Sequence, residues 1–142
     1  MKVLKMFLPA LFVISIVPAC FAEKIDYPEN LWKGLIGEAA NQGYKVMYAA
    51  ACVYRNRTCK HMPLGCVAMK RPDLNDFVKR QGKKYEKMAK EIMWKVFIDN
   101  GPDVTNGATH YENVKKFGFP YWATNMEITA QFGSHTFFKE KQ

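Results

Sequence analysis

One carboxylic acid, Glu38, lies in a segment of apolar and small residues. It follows Leu35–Gly37 and precedes Ala39-Ala40. A carboxyl in such surroundings is suited to act as a general acid, which is what cleavage of a glycosidic bond requires. The alternative is that Glu38 lies on the exposed side of a helix together with Gly34 and Gln42, where an acid needs no chemical role.

Other acids could act together with Glu38. Retaining and inverting glycosidases need a second carboxylate about 5 to 9.5 Å from the first. The candidates are Asp103, Glu112 and Glu127. Asp103 directly follows Gly101-Pro102, so a turn-forming aspartate is the alternative interpretation of that residue.

The histidines do not form a recognisable metal motif. His61, His110 and His135 are separated by 49 and 25 residues, and none lies at the i, i+4 spacing of helical zinc ligands. We therefore expect no metal and no cofactor. His135 is instead expected to be a packed or hydrogen-bonded residue.

Periodicity predicts helices in the first two thirds of the chain and short strands in the remainder. Apolar residues recur at helical spacing over Leu31–Ala39, Tyr44–Arg57 and Lys84–Ile98. The stretch Cys59–Met69 is predicted to be mostly connection, with one short helical turn from Leu64, and residues 71–76 to be a loop or the start of a helix. From Asp103 onwards, turn formers alternate with aromatic and β-branched residues. The sequence thus predicts an α+β fold, with a mainly helical body and a small irregular β-containing lobe.

The first 22 residues have the layout of a secretory signal peptide. Lys2 and Lys5 precede an apolar run over Met6–Val17, which is too short to span a bilayer, and small residues follow at Cys20–Ala22. Val17–Cys20 also resembles a lipoprotein cleavage box, although proline is a poor residue within it. We expect residues 1–22 to be a cleaved signal and residues 23–142 to form one exported domain, in the periplasm, the cell wall or the medium. Membrane attachment is expected only if Cys20 is lipidated.

Three cysteines follow the signal, which allows one internal disulfide in an oxidising compartment. Cys52 lies in an apolar stretch and is expected to be a buried thiol. Cys59 and Cys66 bracket a short loop containing Pro63 and Gly65, and they are the preferred pair.

The chain is basic, with a net charge of +8, of which the two lysines of the signal contribute 2, leaving +6 for the mature part. Such a charge attracts anionic wall polymers, lipid head groups or nucleic acid. The lysines are dispersed and are not interleaved with aromatic residues, so nucleic acid is not the expected partner. We expect a monomer.

Five short motifs occur in an order that resembles the SleB-like cell wall hydrolases, the family of the spore-cortex-lytic enzymes. They are Gly37-Glu38-Ala39, a small-residue helix ending in Arg55-Asn56-Arg57 with Cys66 after a short loop, Gly107–Tyr111, Pro120-Tyr121-Trp122, and Gly133–Phe138. The resemblance covers nearly the whole mature chain. One departure is that residues 73–77 lack the tryptophan-bearing stretch that family members tend to have before the long helix.

The resemblance implies a lysozyme-like body that cleaves peptidoglycan glycan strands as a lytic transglycosylase does, with Glu38 as the catalytic acid. Thr109 and Tyr111 are then expected to contact substrate. Tyr121 and Trp122 could stack on sugar rings. The alternative interpretation is that both are residues of the hydrophobic core. Apart from the resemblance, Arg55 and Arg57 are expected to pair with structural carboxylates, and the alternative is that they contact a charged substrate.

Two other functions fit the same sequence. One is a non-catalytic protein that binds the cell wall, and the other is a zinc amidase that cuts the stem peptide. The sequence does not distinguish an enzyme that remodels its host's wall from one that attacks a competitor's wall or serves a phage in lysis.

Overall fold

The computed structural model describes residues 24–141, and the predicted signal, including Cys20, lies outside them. Five α-helices and three strands form this part of the chain. They are α1 (Leu31–Ala39), α2 (Tyr44–Cys59), α3 (Leu74–Gln81), α4 (Lys83–Phe97), β1 (His110–Glu112), α5 (Val114–Phe117), β2 (Met126–Phe132) and β3 (His135–Glu140). Short 3₁₀ turns occur at Ala40–Gln42, Val67–Lys70 and Tyr121–Ala123.

Helix α2 forms the centre of the helical body. Every residue from Val46 to Asn56 is buried. Ala50 and Ala51 belong to the core formed by the helices, whereas Ala49 packs in a second cluster with Phe137 of β3. Helices α1 and α4 pack on α2 and bury Leu31, Leu35, Ile92 and Val96, among others. α1 and α2 are separated at Gly43, whose φ of 81° is one that residues with a side chain rarely adopt.

The β lobe is a three-stranded antiparallel sheet in the order β1-β3-β2. β2 and β3 form a hairpin, and Gly133 takes a positive φ of 58° in its turn. β3 is the central strand, and its residues His135–Phe138 are buried. Tyr111 of β1 is paired with Phe137 of β3, which places β1 at one edge of the sheet.

Buried polar side chains join the two parts. Arg55 of α2 is fully buried, and its Nη1 donates to the carbonyls of Val96 at 2.9 Å and Gly101 at 2.7 Å. Asn56, the next residue, donates to Asp103 and to the carbonyl of Ala108, both at 2.9 Å. The end of α2 therefore holds the connection that leads into β1.

The predicted α+β fold with a mainly helical body and a small β lobe is confirmed. The predicted helices match α1, α2 and α4 to within two residues at each end. Residues 71–76 contain the start of α3, and the short helix α5 was not expected. Within residues 24–141, no helix is long and apolar enough to cross a membrane.

The predicted Cys59–Cys66 disulfide is wrong. Cys66 is a buried free thiol, as is Cys52, whereas Cys59 is disulfide-bonded. Cys66 packs against α1 at Gly34, where an added Cβ would lie only 2.5 Å from its Sγ. The loop after α2 therefore turns the thiol of Cys66 inward, where it faces Glu38. The prediction that Cys52 is a buried thiol is confirmed, and burial raises its pKa to about 12.

Candidate active site

A cleft of about 710 Å³ lies between the helical body and the β lobe. One side is formed by α1 and the 3₁₀ turn at Val67–Lys70, and the other by β1 and the residues that follow it. Glu38, Thr109 and Tyr111, three of the residues predicted to form the site, line this cleft together.

Glu38 is half-buried, and its carboxylate is held by the backbone. The amide of Ala68 donates to Oε1 at 2.8 Å, and the thiol of Cys66 lies 3.9 Å from the same oxygen. Oε2 takes neither bond. The carboxyl group is thus anchored through Oε1, at the wall of the cleft that Glu38 lines.

Gly37 allows this anchoring. A Cβ at Gly37 would lie 2.6 Å from the Cβ of Ala68, well inside the ordinary carbon–carbon contact of about 3.5 to 4.0 Å. Only a residue without a side chain lets the turn at Val67–Lys70 approach α1 so closely. The glycine before Glu38 therefore brings the Ala68 amide within reach of the carboxylate.

Two tyrosines lie beside Glu38. The hydroxyls of Tyr54, on α2, and Tyr111, on β1, are 2.9 Å apart and hydrogen-bonded. Burial raises the pKa of Tyr111 well above its ordinary value, and the negative charge of Glu38 acts in the same direction. Burial likewise raises the pKa of Tyr54. Both tyrosines therefore stay protonated and can donate hydrogen bonds.

The thiol of Cys66 belongs to the same cluster. Burial raises its pKa, and the charge of Glu38 raises it further, while a hydrogen bond with Tyr54 opposes both effects. A thiol with a raised pKa is a poor nucleophile at neutral pH. Cys66 is therefore suited to packing and weak hydrogen bonding, and not to thiolate chemistry.

Thr109 and His110 form part of the opposite wall. Thr109 is buried, its Oγ1 lies 2.9 Å from Nδ1 of His110, and its carbonyl accepts from Nη1 of Arg57 at 2.7 Å. Nε of Arg57 also donates to the carbonyl of Pro63 at 2.6 Å. Arg57 thus ties the loop after α2 to the residue that precedes β1, which is a structural role, although its partners are backbone carbonyls and not carboxylates.

The two histidines in the cleft are favoured in their neutral form. Burial lowers the pKa of His110, and the positive charge of Arg57 lowers it further. Burial also lowers the pKa of His135, whose Nδ1 is buried without a hydrogen-bond partner among the described residues. Across residues 24–141, no three or more His, Cys, Asp or Glu side chains gather in a way that could hold a metal ion.

Asp103, the candidate second carboxylate, is engaged in a turn. Oδ1 accepts from the amide and hydroxyl of Thr105 at 2.8 and 2.6 Å, and Oδ2 accepts from Asn56 at 2.9 Å and the amide of Gly107 at 2.8 Å. Burial alone would raise the pKa of Asp103, but these hydrogen bonds outweigh burial and lower it. Asp103 does not line the cleft, whereas Glu112 does.

Tyr121 and Trp122 lie outside the cleft lining, on the neighbouring surface of the β lobe. Tyr121 is 94% exposed and Trp122 46% exposed, so neither belongs to the core. Trp122 nevertheless touches the site, because its ring lies 5.4 Å from that of His110.

Sequence reasoning missed Tyr54 and the amide of Ala68. Tyr54 lies on the face of α2 that helical spacing assigns to the core, and nothing in its spacing indicates a buried hydroxyl that meets Tyr111. The Ala68 amide carries no sequence signal, since any residue except proline supplies one.

No protein-family model, no curated protein and no solved structure matches this chain.

Proposed function

We propose that this protein cleaves the glycan strands of peptidoglycan as a lytic transglycosylase, with Glu38 as the general acid and then the general base. The observation that carries the proposal is the placement of Glu38. Its carboxylate is anchored through Oε1 by the Ala68 amide, in an open cleft lined by polar groups. Anchoring of this kind is what a proton-transfer group needs, because efficiency depends on holding it within hydrogen-bond reach of the reacting oxygen.

The cycle starts from Glu38 in its protonated form, which transfers its proton to the glycosidic oxygen. The bond from that oxygen to the anomeric carbon of muramic acid breaks, and positive charge develops on the sugar ring. The 6-hydroxyl of the same muramic acid then attacks the anomeric carbon, and Glu38, now a carboxylate, takes the hydroxyl proton. The products are a strand with a 1,6-anhydro end and a strand with a new free hydroxyl. No water is consumed and Glu38 returns to its starting form.

The surrounding residues have supporting roles. The protonated hydroxyl of Tyr111 lies beside Glu38 and is suited to donate a hydrogen bond to the carboxylate or to the sugar. The hydroxyl of Thr109, next to the neutral ring of His110, offers a further polar contact. One acid suffices for this reaction because an internal hydroxyl of the substrate replaces the water that a second carboxylate would activate.

The matched pair Glu38→Gln and Glu112→Gln tests the assignment. Both residues line the cleft, and both substitutions keep the size of the side chain. We expect Glu38→Gln to lower the release of soluble muropeptides from purified sacculi by at least about 100-fold. Glu112→Gln is expected to retain most of the activity.

Two results would change the assignment. Undiminished release by Glu38→Gln contradicts the proposal. Loss of activity in both variants, with reducing ends among the wild-type products, would instead indicate a hydrolase that uses both carboxylates. The stem-peptide amidase is separated by its product, which is free peptide, and by its loss of activity when zinc is chelated.

A further inference from the structure

Five large apolar side chains project from the β lobe beside the cleft. They form a surface that we name the aromatic face, consisting of Phe117, Phe119, Tyr121, Trp122 and Ile128. Each is between 46% and 94% exposed. A cluster of exposed apolar side chains on a small protein commonly marks a binding surface.

Three of these side chains are held together by Phe138, a buried residue of β3. The rings of Phe119 and Trp122 meet the Phe138 ring edge to face at 5.7 and 5.4 Å. Ile128 of β2 is the cross-strand partner of Phe138. The exposed sides of these residues are therefore held in place before anything binds, which lowers the entropic cost of binding.

The aromatic face continues the wall of the cleft. Phe117 lines the cleft itself, and Trp122 contacts His110, another residue of the wall. A glycan strand whose scissile bond lies at Glu38 extends beyond the cleft, so it must cross one of the rims. On this rim it meets flat aromatic rings, which suit the apolar faces of sugars.

The charge beside the face also fits peptidoglycan. Lys115 and Lys116 are exposed next to Phe117, and Lys116 also lines the cleft. On the neighbouring strands, Glu127 is paired with Lys139 at 3.5 Å, and Glu112 lines the cleft together with Lys116. Lys115 and Lys116 add positive charge at this rim. Stem peptides attached to muramic acid carry carboxylates that would meet these lysines.

We propose that the aromatic face binds the glycan strand outside the cleft, with the sugar rings on the aromatic side chains and the stem-peptide carboxylates on Lys115 and Lys116. This inference rests on the proposed function, since it takes the cleft to hold the same polymer. It gives the domain a means of holding the wall outside the cleft.

The test uses Glu38→Gln as the background, so that binding is measured without turnover. In this background we compare Tyr121→Ala and the double variant Phe119→Ala/Tyr121→Ala for co-sedimentation with purified sacculi. Tyr121 is almost wholly exposed, so its replacement leaves the fold intact, and thermal melting checks the double variant. Trp94→Ala is the matched control, because Trp94 is a 56% exposed aromatic on α4, in a different groove.

We expect the double variant to raise the dissociation constant for sacculi about tenfold and Tyr121→Ala to raise it less. Trp94→Ala should leave it unchanged. Equal binding by a folded double variant would overturn the inference. The same variants are also sedimented with phosphatidylglycerol vesicles. A double variant that binds sacculi normally but no longer binds the vesicles would also overturn the inference, because the face would then serve a membrane.

The outcome is separable from that of the proposed function. Sedimentation reports on the aromatic face whether or not the wild-type protein releases fragments. If the wild-type protein releases none while the double variant still loses binding, the face binds wall glycan in a protein without lytic activity.

Discussion

Replacing Asp103 by asparagine keeps the shape of the side chain but turns one of its oxygens into a hydrogen-bond donor. Each carboxylate oxygen accepts two hydrogen bonds, from Thr105 on one side and from Asn56 and Gly107 on the other. If the new amide nitrogen takes the position of Oδ2, it faces two donors, from Asn56 and Gly107, and can accept from neither. If it takes the position of Oδ1, it faces the donating amide of Thr105. One or two hydrogen bonds to a charged group are therefore lost in either orientation.

Such bonds contribute about 1.5 to 3 kcal/mol each, and we expect Asp103→Asn to lower the free energy of unfolding by about 2 to 4 kcal/mol. For a domain of this size that corresponds to a fall in Tm of about 10 °C. Denaturant unfolding at pH 7 measures the change. Muropeptide release, assayed well below both melting temperatures, should stay near the wild-type rate because Asp103 lies outside the cleft.

The pH dependence of stability has a definite sign. The folded-state pKa of Asp103 is lowered from its ordinary value of 3.8. Its contribution is therefore fully present above that value and is lost as the pH falls through the folded-state pKa. The wild-type protein should lose its stability advantage over Asp103→Asn on acidification. If Asp103→Asn is as stable as the wild-type protein but inactive, the structural role argued for Asp103 is refuted. Asp103 would then act in the reaction as a second carboxylate.

Three further predictions follow from the cluster around Glu38. Tyr54→Phe removes a buried hydroxyl, so the hydroxyl of Tyr111 loses this hydrogen-bond partner. The free energy of unfolding, measured with denaturant, should fall by about 1 to 3 kcal/mol. An unchanged value would contradict the hydrogen bond between Tyr54 and Tyr111. Gly37→Ala should push Ala68 away from Glu38 and lower muropeptide release more than 10-fold in a protein that still folds; full activity would show that the Ala68 amide is dispensable. Alkylation without reductant should label Cys66 only after unfolding, and rapid labelling of the folded protein would contradict its burial.

The parts of the fold that follow local rules were predictable from the sequence. α1, α2 and α4 each bury one continuous set of apolar residues at helical spacing, and that spacing is visible without any tertiary information. Gly43 could be read as a helix stop because few other residues adopt its backbone conformation. The strands were predicted only as a class, because their pairing around β3 depends on contacts between distant residues.

The candidate site was less predictable, because it depends on packing. The position of Glu38 beside Ala68 requires the close approach at Gly37, and sequence spacing does not report that distance. The disulfide prediction failed for the same reason: a short loop between Cys59 and Cys66 permits a bond, but the thiol of Cys66 points toward Glu38. Tyr54 follows the pattern of a core residue, and only its contact with Tyr111 distinguishes it.

The most direct test of the central claim is mass analysis of the products that the wild-type protein and Glu38→Gln release from purified sacculi. The proposed mechanism predicts muropeptides with 1,6-anhydro ends from the wild-type protein and almost none from Glu38→Gln. Reducing ends would contradict the internal attack by the 6-hydroxyl, and free stem peptides would contradict cleavage of the glycan. Equal release of anhydro products by the two proteins would remove Glu38 from the chemistry.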